Sequence, residues 1–391
     1  MSRFTEVTPR KGTRSVKWDM AEDLYQDKDI LPMWVADMDF RIPDAVIQAL
    51  EERVAHGIFG YTLPDNQLKE EVTGWLQHRH QWEIQPEWIT YSPGVIPSLH
   101  MIIQSLTEES DHVLIQTPVY PPFYSVVEQH NRNLVKNPLV LENNQYTIDF
   151  KDFEDKIIDN HVQLFILCNP HNPVGRVWSK EELTKMSEIC LKHNVKIVAD
   201  EIHADLIFSE AKHIPIASLS NDISDQTVTC LSPTKTFNLA GLQVSYLVTA
   251  NQELREKVEK QFKQQGMGML NTLGITALEA AYSKGEEWLS ELLETLENHR
   301  DYVAQRFHDE TNAIQVIPAE GTYLLWLDCR NLGLTHTELK SFMQKEARIG
   351  LNDGASFGEE GEGFMRLNIA APKKIIEEGV NRIIKAVENH S

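Results

Sequence analysis

Four short segments carry side chains whose types and spacing could do chemistry. Ser232-Pro233-Thr234-Lys235-Thr236-Phe237 follows the apolar TVTCL and sets a lysine among apolar and hydroxyl residues. Such an amine is either a surface cation or, once desolvated, a nucleophile and base. Asp200-Glu201-Ile202-His203 follows VKIVA. A carboxylate that ends an apolar strand is costly unless it meets a cation or a donor, which favours a working role for Asp200. Asn169-Pro170-His171-Asn172-Pro173-Val174-Gly175 follows LFILC, and its two Asn-Pro steps and glycine predict a rigid, exposed loop. A turn alone would explain it. Tyr91-Ser92-Pro93-Gly94-Val95-Ile96-Pro97 leads into the helical SLHMIIQSL. A turn into a helix N-terminus offers free backbone N–H groups and the positive end of a dipole, which suits a phosphate. Singly, each of these signals is weak.

The elements that must position them can be read from the apolar pattern. Between about residues 88 and 250 the runs EWITYS, DHVLIQTP, VQLFILCNP, VKIVADE, TVTCLSP and QVSYLVTA read as buried strands. Longer amphipathic stretches separate them. One is SKEELTKMSEICLKHN, with Ser179 as the cap and Glu182 three residues on. Strand alternating with helix predicts a largely parallel sheet covered on both faces, with ligands beyond the carboxyl ends of its strands. All four segments lie at such ends. Residues 285–310 form one long helical pattern, followed by IQVIPAEGTYLLWLDC, a helix near 335–348, GFMRLNIA and a last helix. This region lacks the parallel rhythm and predicts a smaller α+β domain. The division expected is a large domain over 46–285 and a small one from 1–45 with 286–391.

Composition narrows the classes. The chain has 391 residues, 41% hydrophobic and 24% charged, a balance that fits a globular protein of two domains. A net charge of −21 argues against nucleic acid or an anionic membrane as partner, because phosphate binding needs clustered Lys and Arg. The N-terminal MSRFTEVTPRKG lacks the apolar core of a signal peptide, and no run approaches membrane-spanning length. Cys168, Cys190, Cys230 and Cys329 lie far apart without a C-x-x-C pair, so buried free thiols in a reducing cytoplasm are expected. His78 and His80 are spaced i,i+2, on different sides of a helix, which argues against a metal there.

Taken together the four segments resemble the fold-type-I pyridoxal-5′-phosphate (PLP) enzymes, with the aspartate-aminotransferase fold, over nearly the whole chain. The spacings, 28 residues from Asn172 to Asp200 and 35 from Asp200 to Lys235, fit that family. The resemblance implies PLP as cofactor, carried on Lys235 as a Schiff base. It implies that Asn172 meets the ring hydroxyl and Asp200 the protonated ring nitrogen. The phosphate would rest on the backbone of Gly94, Val95 and Ile96, with Ser232 and Thr234 adding hydroxyls, and Tyr120 of TPVYPPFY would stack on the ring. Gly363-Phe364-Met365-Arg366-Leu367-Asn368 resembles the stretch whose arginine clamps the substrate carboxylate, a bidentate task suited to guanidinium. Phe59-Gly60-Tyr61-Thr62 resembles the segment whose tyrosine crosses to the neighbouring subunit, which implies a homodimer with shared active sites.

Departures select a branch. His203 stands where common aminotransferases have a tyrosine, beside the cofactor, and Gln243 stands where they have a phosphate-binding arginine. Pro32-Met33-Trp34-Val35-Ala36-Asp37-Met38-Asp39-Phe40, DEIHADL and SPTKTFNLAGLQ together resemble the cystathionine β-lyases of the MalY/PatB type. In that group Ala36, Tyr61 and Arg366 would face the substrate. The activity implied is β-elimination from L-cystathionine or an L-cysteine S-conjugate, giving pyruvate, ammonia and a thiol or hydrogen sulfide. An aminotransferase uses the same groups and stays open as a reading. A PLP-binding regulatory protein is the alternative from another class.

Overall fold

The structure is a computed structural model and describes residues 3–390. Its centre is a seven-stranded sheet: β1 (Ile89–Ser92), β2 (His112–Thr117), β3 (Asn133–Pro138), β4 (Val162–Cys168), β5 (Lys196–Asp200), β6 (Thr227–Leu231) and β7 (Ser245–Val248). Their order across the sheet is β1-β7-β6-β5-β4-β2-β3. The neighbouring strands from β3 to β6 pair parallel, while β7 runs antiparallel to both β6 and β1. The reversal has a local cause. Between β6 and β7 the chain makes only the short helix Pro233–Thr236 and a 3-10 turn, too little for a crossover, so it must return antiparallel.

Successive side chains of a strand point to opposite faces, and both faces here are buried. Val113, Ile115, Leu164, Ile166, Val198 and Val228 pack on one face with the helix Val95–Leu106. Leu114, Phe165, Leu167, Ile197 and Ala199 pack on the other with the helix Lys180–Lys192. That helix starts in a complete capping box of Ser179 and Glu182. Each fully buried aliphatic side chain contributes up to roughly 1.5–3 kcal/mol. Cys168, Cys190, Cys230 and Cys329 are all buried free thiols.

The 25-residue helix Glu286–Glu310 leads away from this layer to a second sheet. It consists of β8 (Gln315–Val316), β9 (Leu324–Asp328), β10 (Asn352–Asp353) and β11 (Phe364–Asn368), in the antiparallel order β8-β9-β11-β10. The N-terminal segment returns to this region, where Leu31–Pro32 pairs parallel with Ile349–Gly350. Among the described residues no helix is long and apolar enough to cross a membrane.

Candidate active site

Cys168, Asp200 and Cys230 sit level with one another as register partners on the adjacent strands β4, β5 and β6. The three following segments therefore emerge at one edge and enclose a cavity of about 180 Å3. Its lining includes Ala36, Val95, Ile96, Tyr120, Asn172, Asp200, His203 and Lys235. Cys168 and Ile202 complete the lining.

Lys235 lies on the short helix after β6, with Ser232 as its cap. Its Nζ donates to the carbonyl oxygen of Ala36 at 2.5 Å. Burial and the nearby Arg366 lower the amine to about 8, against the opposing pull of Asp37 and Asp200. Asp200 is buried at the end of β5 and accepts one hydrogen bond, from the Ile202 N–H at 3.2 Å. Burial raises its carboxyl to about 7, although Ile202 and Lys235 oppose the change. His203 is buried as well, and burial, Lys235 and Arg366 lower its imidazole to about 3, so it is neutral. Its Nδ1 has no partner among the described residues. Burial raises the Tyr120 phenol, and Asp200 adds to the effect.

Arg366 reaches Asn172, in the cavity wall, from β11, an interior strand of the second sheet, and is 4% exposed. Its Nη1 donates to Asn172 Oδ1 at 3.0 Å, and its Nη2 to the Trp34 carbonyl at 2.9 Å and Asn352 Oδ1 at 2.6 Å. Its Nε is buried without a partner. Burial depresses the guanidinium to about 10, still charged at neutral pH. This is no edge arginine reaching for solvent.

The loop Asn169–Gly175 departs from its expected exposure, since every residue in it is buried. Asn169 Oδ1 accepts from the Trp178 N–H, Asn169 Nδ2 donates to the Ile214 carbonyl and Gly175 N–H donates to the His171 carbonyl, so partners around the turn let it pack inward. Gly175 has φ +74°, and a Cβ there would lie 2.8 Å from Ala319 Cβ, so glycine is required. The peptide bonds before Pro170 and Pro173 are cis.

The helix Val95–Leu106 is capped by Gly94 and leaves the Val95 and Ile96 N–H groups free at its first turn. Ser232 Oγ donates to the Val244 carbonyl and lies 2.7 Å from Thr234 Oγ1, so both hydroxyl protons are committed within the turn. Tyr61 stands apart. It is 95% exposed, on a segment with Phe59 and Leu63, and does not line its own chain's cavity.

Residues outside the predicted set hold the cavity's near wall, the segment Trp34–Phe40. Tyr323 donates its hydroxyl to the Ala36 carbonyl at 3.0 Å. Asn368 Nδ2 binds the carbonyls of Val35 and Asp37, and Asn238 binds Met38 and Phe40. Asp39, buried, accepts from Lys17 at 2.7 Å, Arg10 at 2.7 Å and Trp18 at 2.8 Å. Burial alone would raise its carboxyl, but Lys17, Trp18 and Arg10 hold it below the ordinary range. Asn238, three residues after Lys235, Asn368, two after Arg366, and Asp39, within Pro32–Phe40, lie in segments that the sequence marks; Tyr323, Lys17, Arg10 and Trp18 do not.

Two features test whether PLP fits this chain. Asp200 is a buried carboxylate short of donors, which a protonated ring nitrogen would supply; His203 Nδ1 and Arg366 Nε are buried polar atoms without partners. The free N–H groups of Val95 and Ile96 are donors of the kind that would suit its phosphate. The residues fit the cofactor. Among the described residues no cluster of three or more His, Cys, Asp or Glu could hold a metal.

A lysine and a buried carboxylate at the carboxyl ends of adjacent parallel strands, faced by an arginine from a second sheet, define an aspartate-aminotransferase-like protein. Residues 28–383 match the aminotransferase class I and II family, and the chain belongs to it. It is 47% identical over 384 residues to cystathionine beta-lyase PatB of Bacillus subtilis (strain 168), covering 98% of this chain and 99% of that one. The structure of cystalysin from Treponema denticola, which contains a pyridoxal 5′-phosphate cofactor, matches with a TM-score of 0.97 at 35% identity over the full length of both chains. The PLP-bound C-S lyase from Staphylococcus hominis matches with a TM-score of 0.92 at 31% identity, over 99% of this chain and 98% of that one.

Proposed function

We propose that this protein is a PLP-dependent carbon–sulfur β-lyase that cleaves L-cystathionine or L-cysteine S-conjugates to pyruvate, ammonia and a thiol. The carrying observation is the meeting of Lys235, Asp200 and Asn172 around one cavity, with Arg366 bonded to Asn172. The likeness to PatB, cystalysin and the staphylococcal C-S lyase supports the reaction class. PLP, when bound, draws electron density from the substrate Cα and so acidifies its proton. Asp200 would hold the ring nitrogen, Asn172 and neutral His203 the ring's polar edge, Tyr120 its face, and Val95 and Ile96 with Gly94 the phosphate.

Lys235 takes the Cα proton. An amine lowered to about 8 is partly unprotonated near neutrality, as a base must be. Arg366 orients the substrate by its α-carboxylate, and Asn172 and Asn352 fix the guanidinium for that purpose. The C–S bond then breaks, the thiolate leaves Cβ with the electron pair, and released 2-aminoacrylate hydrolyses to pyruvate and ammonia.

The working unit in this proposal is a homodimer in which Tyr61 completes the other subunit's site. Its support is an exposed apolar stretch, Ile58, Phe59, Tyr61 and Leu63, that one chain leaves uncovered. The division at residues 46 and 285 and a cytoplasmic location, the latter resting on four buried free thiols, belong to the same proposal.

A substrate panel without any keto-acid acceptor tests the reaction. Stoichiometric pyruvate and ammonia are expected from cystathionine or S-alkylcysteines. Amino transfer that requires a keto acid, without pyruvate from Cβ–S substrates, would establish an aminotransferase instead. Binding of PLP with turnover of neither kind would favour a regulatory protein.

A further inference from the structure

Asp205 is a buried carboxylate that the chemistry proposed above does not use. It lies two residues beyond His203, in the segment that follows β5, and is 5% exposed. Three side chains from two other elements converge on it. Its Oδ1 accepts from Trp75 Nε1 at 3.1 Å and from His80 Nε2 at 2.9 Å, both on the helix Asn66–His80. Its Oδ2 accepts from Thr236 Oγ1 at 2.8 Å, at the end of the short helix Pro233–Thr236 that carries Lys235. Burial alone would raise the carboxyl, but His80, Arg79 and Thr236 hold it below the ordinary range. It is therefore an anion at neutral pH, and its hydrogen bonds are charge-assisted.

The Lys235 turn needs such a tie. A helix of four residues is a single turn, too short to hold its own shape. Ser232 caps its start through the Thr234 N–H, and Phe237, just past its end, packs edge-on against Trp75. Successive side chains of a helix diverge by about 100°. Lys235 sends its amine to the Ala36 carbonyl, while Thr236 sends its hydroxyl to Asp205. The Thr236–Asp205 bond thus limits rotation of the turn about its axis, and with it the direction of the lysine. Asp205 also belongs to the segment that carries Asp200 and His203. One side-chain bond therefore joins the two segments at a second point, beyond the pairing of β5 with β6. Electrostatics is not the route. The charges that shift the Lys235 amine are Arg366, Asp37 and Asp200, and Asp205 is not among them.

We propose that Asp205 is a positioning residue for Lys235, acting through Thr236 to set where the amine stands relative to Asp200. The proposal rests on the reading of Lys235 as cofactor anchor and base, and adds a residue to it. Misplacing a reacting group by about 1 Å can cost on the order of 10²-fold in rate, so the loss of one buried hydrogen bond should be visible in the chemistry.

Thr236→Val is nearly isosteric and removes only the hydroxyl. Asp205→Asn keeps the shape of the side chain but replaces one acceptor oxygen with a donor. Two rates read the position of Lys235 without any leaving group. One is the appearance of lysine-bound cofactor absorbance when PLP is added to cofactor-free protein. The other is exchange of the Cα proton of L-alanine for deuterium, followed by NMR in D2O on the loaded enzyme. Thr236→Val should slow both at least threefold, and Thr236→Ser, which keeps the hydroxyl, should recover most of the loss. The double variant should be no slower than Asp205→Asn alone, because both substitutions break the same bond. A smaller loss in either rate, with only Tm lowered, would make the contact purely structural and overturn the proposal. So would a double variant as slow as the two single losses multiplied, or a Ser variant as slow as Val. If Asp205→Asn does not fold, the Val and Ser pair at 236 decides. Failure of the wild type to release pyruvate would count against the lyase reading alone, since neither rate requires elimination.

Discussion

The amine of Lys235 donates to the carbonyl oxygen of Ala36 at 2.5 Å, across 199 residues of sequence. That carbonyl also accepts from Tyr323, and the segment around it is held by Arg366, Asn368 and Asn238. Lys235, Arg366 and the second sheet therefore meet on one stretch of backbone, Trp34–Phe40. Its position is set from both sheets, so the placement of Lys235 relative to Arg366 is a property of the fold and not of one loop.

Lys235→Ala should lose both the covalent anchor for PLP and the base for the Cα proton. Turnover of any cysteine conjugate should fall to background, and the absorbance of lysine-bound cofactor should be missing from the purified protein. Activity near that of the wild type would sink the whole assignment.

Asp200 gives a pH-dependent prediction that needs no cofactor. Burial raises its carboxyl from 3.8 to about 7, so between these values the folded protein binds more protons than the unfolded one. Stability of the cofactor-free protein should fall as pH rises through that window and level off above it. Asp200→Asn removes the ionisation. Its cofactor-free Tm should exceed that of the wild type at pH 8, with the gap closing towards pH 4. Loaded with PLP, the same variant should turn over more than tenfold slower, about 1.4 kcal/mol, because nothing then keeps the ring nitrogen protonated. Calorimetry across pH and kcat check the two halves; a Tm gap independent of pH would mean that Asp200 is not the group responsible.

The strand-end residues were legible because parallel sheets place their chemistry at carboxyl ends, and apolar runs ending in Asp200 or leading to Lys235 mark those ends directly. Other features left weaker traces. The edge strand β3, NLVKNP, is half exposed and ends in proline, so it lacks the apolar run of a buried strand. The antiparallel sense of β7 depends on how little chain links it to β6. Tyr323 and Lys17 act on a backbone carbonyl and a buried carboxylate far away in sequence, which leaves no local pattern. The burial of Asn169–Gly175 depends on Trp178 and the second sheet closing over a turn whose composition reads as surface.

Arg366→Ala should raise KM for every α-amino-acid substrate at least about tenfold, since a charged, hydrogen-bonded contact of this kind contributes roughly 1.5–3 kcal/mol. The absorbance of bound PLP should be unchanged, because in the proposed arrangement Arg366 holds the substrate and not the cofactor. Arg366→Lys should not rescue, as one ammonium cannot hold Asn172, Asn352 and a carboxylate in one plane. An unchanged KM would assign the carboxylate to another residue.

Tyr61 tests architecture and chemistry together. In one chain its side chain is 95% exposed, and an aromatic among Ile58, Phe59 and Leu63 gains nothing from water. The phosphate cradle has few donors of its own: the Ser232 and Thr234 hydroxyl protons are committed, and Gln243 stands in place of an arginine. A hydroxyl from a partner subunit would matter more under those conditions. Tyr61→Phe should therefore weaken PLP retention or slow turnover, as read by dialysis against cofactor-free buffer and by kcat. Mixing it with Lys235→Ala should restore activity. In a hybrid dimer the site on the Tyr61→Phe chain has its own Lys235 and receives an intact Tyr61, while the other site carries both defects, as two-fold symmetry requires. Each hybrid thus regains one working site of two. Subunit exchange demonstrated by mass, with no recovered activity, would place Tyr61 outside the partner's site and remove the argument for a shared one.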